Sequence, residues 1–545
     1  MAQATIDIGR APEPEELEVI AEKDSSEFLI GSMAREAVLS SRDHLTAALK
    51  SERPVYGSNT GYGPFVSFSA REDGGEDLIQ HLLVGSGPAL PGELVAAAMY
   101  LRAWTMAQGR SGVRLPVIEA YLLALQDCKS GLVPRIPSIG SLGASGDLVP
   151  LAHLLNSILG RGNADSSNRT TAQSYLKDHI LDRREALACI NGISFSKARA
   201  SLTYSALSRL LGIHEILTAV LYVALDANPD HLHENLFQSS TANCGERIRS
   251  RVVEIASRTT GASRDSEGER KDASPGNADS MRPGTSGNKN EDSMRRGYRL
   301  QAPYSLRCAP QILGACEEVL ASARNSIVQD LSTIDDNPLI DPETGFVAHG
   351  GNFFGQATAF GADQMTMLAC QAGVLAERQL ALILDPEING EDALMLASSP
   401  GQSSGLAGLQ LTATATVAEM RSLSHMHSTY SIPTNGKNQD IVPMALLAGR
   451  RAAEVTEHLA SVLGALFIAS KSLWALRSGK SMRREFPFWP GLLNGSQHET
   501  QGDLGAKGPG PESIAHPAGS LGQELQSIQK AFLQRGILQN ENLYH

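Results

Sequence analysis

The stretch MALLAGRRAAEVTEHLASVLGALFIASKSLWAL, Met444 to Leu476, contains no proline and only two isolated glycines. Its apolar residues recur at three and four, the spacing of a helical face, and they spread over more than one face. A helix that is apolar on several sides is buried among other helices, in a bundle or an oligomer core. Gln311–Ile334, Gln356–Leu384 and Gly405–Thr429 show the same long, weakly interrupted periodicity. Aromatic residues make up only 5% of the chain, and no run alternates apolar and polar residues as half-buried strands do. The reading predicts an all-α protein built on a long central helix bundle.

The 545 residues are 42% hydrophobic and 19% charged, ample for a large core. A formal charge of −12 argues against nucleic acid as a partner, since phosphate contacts need basic faces. The cysteines, Cys128, Cys189, Cys244, Cys308, Cys316 and Cys370, are scattered singly. They suggest neither a zinc ribbon nor a redox dithiol nor a disulfide framework, and no metal site is expected. The N-terminal MAQATIDIGRAPEPEELEV lacks the basic and apolar regions of a signal peptide, and no uncharged apolar run reaches membrane-spanning length. A cytoplasmic protein with no membrane partner is therefore expected. Thr259–Gly297 is rich in Ser, Gly, Asn and charge and lacks apolar periodicity, so it reads as a mobile excursion between helices. The expected organisation is an N-terminal domain over 1–205, a central bundle over 206–476, and a C-terminal tail over 477–545 with a short amphipathic helix at Gly519–Gln534.

A second stretch carries the chemistry. SLGASGDLVPLAHLLNSILG, Ser141 to Gly160, places Gly143, Ala144, Ser145 and Gly146 directly before an apolar helix. The ordinary reading is a tight turn into a packed helix. A phosphate loop is excluded, because neither GxxxxGK[ST] nor GxGxxG is present, and a nucleophile elbow would need GxSxG. The remaining reading is backbone chemistry. Ala-Ser-Gly can cyclise when the Gly146 nitrogen attacks the Ala144 carbonyl, and two dehydrations leave a methylidene at the former Ser145. Glycine is needed because a β-carbon would block the approach and the unusual dihedrals. Asp147 is expected to cap the helix that follows, with Pro150 in its first turn and Leu148, Leu151, Leu155 and Ile158 as its buried stripe. The positive end of that helix would lie beside the new ring.

Further blocks occur along the chain: VYGSNTGYGP (55–64), GSLGASGDLVPLAHL (140–154), INGIS (190–194), YSLRCAPQILG (304–314), DDNPL (335–339), HGGNFFGQ (349–356) and TNGKNQDIV (434–442). In their order and content they resemble the aromatic amino acid lyases, the histidine, phenylalanine and tyrosine ammonia-lyases and the related aminomutases. The resemblance covers roughly Val55 to Ala475. It implies a fumarase/aspartase-like helical fold and a homotetramer with sites built from several protomers. It also implies a 4-methylidene-imidazol-5-one (MIO) group formed from Ala144, Ser145 and Gly146, with no diffusible cofactor. The implied reaction removes ammonia from an α-amino acid.

By the same resemblance Tyr56, on an inner loop, is the base that takes the β-proton. A tyrosine, with an ordinary pKa near 10, is strong enough for that if it is kept ionised. Tyr304 lies near the ring and the substrate amine. Arg307 is the clamp for the substrate carboxylate, a task its guanidinium fork suits. Asn191 contacts the ring, Phe354 packs on the substrate ring or near the MIO, and Gln311, Asn337 and Gln439 are polar residues around the pocket. His153 and His349 read as structural.

Two places speak to the substrate. Histidine-specific members carry a glutamate where this chain has Gln439, with Asn438 before it in the same pocket block, which disfavours histidine. In LIQHLLVGSGP (78–88) the pair His81-Leu82 is similar to that of tyrosine-specific members, whereas phenylalanine enzymes more often carry Phe-Leu. A histidine there would give a phenol hydroxyl its partner. The resemblance thus implies a lyase turning L-tyrosine into trans-4-coumarate. A 2,3-aminomutase, a phenylalanine ammonia-lyase and an inactive helical scaffold are the alternatives. The chain departs from the family pattern between Gly63 and Leu78, in the long polar 259–297 segment, in Ala227–Glu246 and at Ser332.

Overall fold

The structure is a computed structural model. It describes residues 5–22, 27–70, 74–161, 170–176, 179–237, 242–259, 300–391, 393–480 and 520–534. Residues 260–297 of the polar segment and residues 481–519 of the tail lie outside the described residues.

Helices dominate, as the expected all-α, fumarase/aspartase-like fold requires. The longest run over Ala445–Lys480, Ser194–Ala224, Gln356–Leu384 and Ala309–Leu331. The stretch expected as helix to Thr429 stops at Ser422. Asp363 ends it from outside: its carboxylate accepts the backbone N–H groups of His427 (3.0 Å) and Ser428 (2.9 Å), which fold into a short turn. The tail helix is Ser520–Leu533. Three helices, Ser194–Ala224, Gln356–Leu384 and Ala445–Arg477, are long and apolar enough to cross a bilayer by length and composition, contrary to the expectation that no uncharged apolar run reaches that length. In each, 72% of the most apolar window is buried within the protein, as in a bundle core.

Among the described residues β structure is confined to three two-stranded pieces. Two of them position the site. Ser86–Ala89 pairs antiparallel with Pro137–Ile139, which joins the stretch after His81-Leu82 to the stretch before the Ala-Ser-Gly tripeptide. Leu339–Ile340 pairs with Val347–Ala348, which delivers the HGGNFFGQ block.

The chain does not divide into the three consecutive domains expected, with boundaries near 205 and 476. It forms two compact units of interleaved segments, because the unit boundaries fall inside the long helices. The first unit comprises Met1–Leu207, Val319–Leu368 and Ser422–Thr456. Its core holds the helices Gly92–Ala107 and Leu115–Lys129, packed on each other and nearly devoid of exposed apolar side chains. The second comprises Ser208–Glu318, Ala369–Arg421 and Glu457–His545. There the tail helix docks through Phe532, fully buried and edge-on to Phe467 with ring centroids 5.9 Å apart.

Phe532→Ala should therefore loosen the tail helix and destabilise the second unit by about 3–5 kcal/mol. Thermal unfolding together with limited proteolysis at residues 520–534 checks this; an unchanged melting temperature and cleavage pattern would refute the docking role.

Candidate active site

The tripeptide lies where the backbone has no room for side chains. Gly146 has φ +73°, a conformation that L side chains rarely adopt. A β-carbon on it would sit 2.1 Å from the Gly192 carbonyl oxygen, so the two glycines meet backbone to backbone. The Asp147 N–H donates to that same carbonyl at 2.6 Å. Other segments of the first unit close on the tripeptide. Met444 N donates to Leu142 O (2.9 Å), and Gly355 N donates to Gly143 O (3.3 Å). Ala144 is buried with Val442 and Met444. Gln439 Nε2 donates to Ser145 Oγ at 2.5 Å, leaving Ser145 half-buried.

Asp147 stands at the N-cap position but does not cap the helix Leu148–Ile158 with its side chain. Its fully buried carboxylate braces the tripeptide instead. It accepts from Ser141 Oγ (2.6 Å), Ser196 Oγ (2.8 Å) and Ser196 N (2.8 Å) at the start of Ser194–Ala224. Burial pushes its pKa up to about 6, with Asp335 adding to the rise against those three hydrogen bonds. Leu151, Leu155 and Ile158 form the buried stripe as expected, while Leu148 is only half-buried.

The Asn191 side of the contact is fixed by charge. Arg102 Nη1 donates to Asn191 O (2.7 Å). Asp335 accepts from Thr105 Oγ1 (2.6 Å) and Ile193 N (2.6 Å) and pairs with Lys197 Nζ at 3.3 Å. Burial works against the Asp335 carboxylate, but Lys197 and Arg102 hold its pKa below the ordinary value. The Asn191 amide donates to Asn337 O (3.1 Å), and Asn337 Oδ1 accepts from Gly350 N (2.8 Å). Asn337, expected to line the pocket, is thus a buried brace for the HGGNFFGQ loop.

Tyr56 follows the fully buried Val55. Its hydroxyl accepts the Gly63 N–H (2.9 Å), its backbone N–H donates to His349 Nε2 (3.2 Å), and its ring meets Tyr62 edge-on at 6.3 Å. Arg183 stacks on the Tyr62 ring at 4.4 Å, and burial pushes the Tyr62 phenol up to about 12, so it is a neutral wall. A β-carbon at Gly57 would meet Leu187 at 2.3 Å, so the loop lies tight on the helix Arg183–Ile190 that leads into Asn191. Residues 63–65 touch residues 435–437, next to Asn438 and Gln439. The structure therefore brings Tyr56, the tripeptide, Asn191, Asn337, Phe354, Asn438 and Gln439 into one connected cluster of the first unit, with Asn438 exposed and Phe354 half-buried.

His81 caps the C-terminal end of Gly75–Gln80, which packs on both Leu148–Ile158 and Arg183–Ile190. It is exposed, at 3.5 Å from the Asp77 carbonyl, and Leu82 is half-buried. Tyr304, Arg307 and Gln311 belong to the second unit. Tyr304 is 68% exposed, and the Arg307 guanidinium lies over its ring at 4.8 Å while Arg307 Nε donates to Ala302 O (3.1 Å). Their turn is pinned by Tyr222, which donates to Leu306 O (2.9 Å), and by Gln379, which donates to Ser305 O (3.1 Å). Gln311 Oε1 is buried without a hydrogen-bond partner.

The aromatic amino acid lyase family matches residues 13–485. The chain belongs to that family. It is 34% identical over 429 residues to a tyrosine ammonia-lyase of Cupriavidus metallidurans, covering 76% of this chain and 78% of the relative. It is 31% identical over 452 residues to a histidine ammonia-lyase of Legionella pneumophila, covering 81% and 83%. In structure it is similar to a tyrosine aminomutase of Streptomyces globisporus, with a TM-score of 0.76, 25% identity, and 99% and 98% of the two chains covered. As a member of this family the protein is a carbon–nitrogen lyase.

Within the second unit, Glu215, Cys244 and Glu317 bring donor atoms within 4.8 Å of one another. Arg247 already occupies both carboxylates: it binds Glu215 through two nitrogens (2.9 and 2.6 Å) and pairs with Glu317. A fixed cation at its centre makes this cluster an ion-pair knot and a poor place for a metal.

The Asp147 carboxylate gives the lyase a pH signature. Its folded pKa is raised from 3.8 to about 6, so the folded state binds the proton more tightly than the unfolded chain. The associated stability is full below pH 3.8 and is lost as pH rises through about 6. Asp147→Asn should therefore gain stability relative to the parent over that window, by on the order of 3 kcal/mol. Urea unfolding of both proteins across the window reads the difference; a constant difference contradicts the assignment.

Proposed function

We propose that the protein is a tyrosine ammonia-lyase acting through an MIO group made from Ala144, Ser145 and Gly146. The observation that carries the ring is the left-handed Gly146 pressed backbone to backbone on Gly192, where neither residue has room for a β-carbon. Such a turn bends the backbone of the tripeptide as an attack of its own nitrogen on its own carbonyl requires. Gln439 on Ser145 Oγ holds the hydroxyl that must leave as water. When formed, the MIO supplies the electrophile that takes up the substrate amine.

The chain's own residues do the rest. Tyr56 takes the β-proton; its hydroxyl oxygen accepts the Gly63 N–H, which fixes where the phenol stands. Arg307 binds the substrate carboxylate, and Tyr304 meets the amine. We assign both to a site completed by a neighbouring copy in a homotetramer, which agrees with the exposure of Tyr304. The substrate is L-tyrosine and the products are trans-4-coumarate and ammonium. The 34% identical tyrosine ammonia-lyase supports this choice, as does His81-Leu82 at the end of a helix packed against both elements that flank the tripeptide contact. A second reading, tyrosine 2,3-aminomutase, draws on the likeness to the Streptomyces globisporus enzyme.

Ser145→Ala should abolish turnover and the near-UV absorbance of the ring while leaving the protein folded; full activity in this variant would dispose of the ring. Chromatography of products from L-tyrosine, L-phenylalanine and L-histidine separates lyase from mutase, with coumarate expected and β-tyrosine the result that moves the enzyme to the mutases. His81→Phe should lower the tyrosine-to-phenylalanine preference on the order of tenfold or more, since the substrate hydroxyl loses its partner. An unchanged ratio would remove His81 from the selectivity argument.

A further inference from the structure

His349 reads from the sequence as a structural histidine. The structure gives it a specific task. It follows the strand Val347–Ala348, and its Nε2 is 3.2 Å from the backbone nitrogen of Tyr56. A backbone nitrogen can only donate, so Nε2 is the acceptor and the ring proton belongs on Nδ1. The ring must be neutral for this bond to exist. Partial burial, and then the positive charges of Arg53 and Arg184, lower the His349 pKa and keep it so. Arg184 is itself paired with the buried Asp336.

The bond ends a connected series. The Asn191 amide donates to the Asn337 carbonyl (3.1 Å). Asn337 Oδ1 accepts the N–H of Gly350 (2.8 Å), the residue after His349. His349 then accepts from Tyr56, whose hydroxyl is set against Gly63 N–H (2.9 Å). The segment beside the tripeptide and the loop carrying the proposed base are thereby held in one register by three side chains.

We propose that His349 is a positioning residue for Tyr56: as a neutral acceptor it anchors the Tyr56 backbone and so sets where the phenol stands. It does not touch the substrate and transfers no proton. This rests on the reading of Tyr56 as the base, and the test separates the two. His349→Leu removes the acceptor, and His349→Gln restores one near the place of Nε2 without a titratable ring. For coumarate formation from L-tyrosine, His349→Leu should lower kcat on the order of 10- to 100-fold with KM changed by less than about threefold, as expected for a misplaced catalytic group. His349→Gln should recover most of kcat. Hydrogen exchange at the Tyr56 amide, read by mass spectrometry on the same full-length proteins, should speed up at least about tenfold in the Leu variant and return in the Gln variant. Unchanged exchange and kcat in the Leu variant, or a Gln variant as impaired as Leu on both readouts, would overturn the proposal. If the parent protein makes no product from tyrosine, the function reading fails, and the exchange rates alone still decide whether His349 anchors the loop.

Discussion

The backbone contact between Gly146 and Gly192 is the constraint on which the rest of the site depends. Neither residue tolerates a β-carbon: one at Gly146 would strike the Gly192 carbonyl, and one at Gly192 would lie 1.9 Å from Arg102 Nη1. Such close approach requires both chain segments to be held from behind, and buried carboxylates do this on each side. Asp147 grips Ser141 and Ser196, and Asp335 grips Thr105, Ile193 and Lys197. Charged groups this deep are costly to strip of water, so each is stable only with its full set of partners. Removing Lys197 would leave the buried Asp335 charge without its paired ammonium, at about 3–5 kcal/mol. The rigidity of the tripeptide is thus purchased with electrostatics rather than with apolar packing.

From that contact the structure spreads outward by backbone hydrogen bonds rather than by side chains aimed at a pocket. The segments around 142–147, 190–196, 335–355 and 434–444 meet through N–H and C=O groups. Side chains such as Asn337, Gln439 and His349 then tie the loops to that frame. The second unit holds Arg307 and Tyr304 in a different manner. Arg307 and Tyr304 stack on each other at the head of a helix, presented on a turn pinned by Tyr222 and Gln379. The tripeptide is enclosed by its unit, whereas Tyr304 is displayed on the surface of the other.

Much of this was legible in the sequence, for physical reasons. Long apolar periodicity without proline can hardly form anything but buried helices, so Gln356–Leu384 was found to the residue. Bare backbone before a helix pointed to the tripeptide. What was not legible depended on partners remote in the chain. Asp147 looked like an N-cap because local spacing favours one, yet Ser141 and Ser196 outcompeted the helix for its oxygens. The hydrogen bond from Gly350 N–H to Asn337 Oδ1 likewise joins residues whose pairing local spacing does not show. The helix meant to run to Thr429 was ended by Asp363, more than sixty positions away in sequence. The interleaved units were hidden because the boundaries fall inside helices whose local signal is uninterrupted.

That interleaving bears on biogenesis. The first unit is complete only when Ser422–Thr456 has joined Met1–Leu207 and Val319–Leu368. A chain made from its N-terminus therefore holds the Ala-Ser-Gly turn for some three hundred residues of synthesis before Gln439 and Met444 can reach it. Its contacts are non-local, and such contacts form slowly because loop closure comes first. The surroundings of the tripeptide are consequently completed late: the segment that closes on it through Gln439 and Met444 is the last of the first unit to be made.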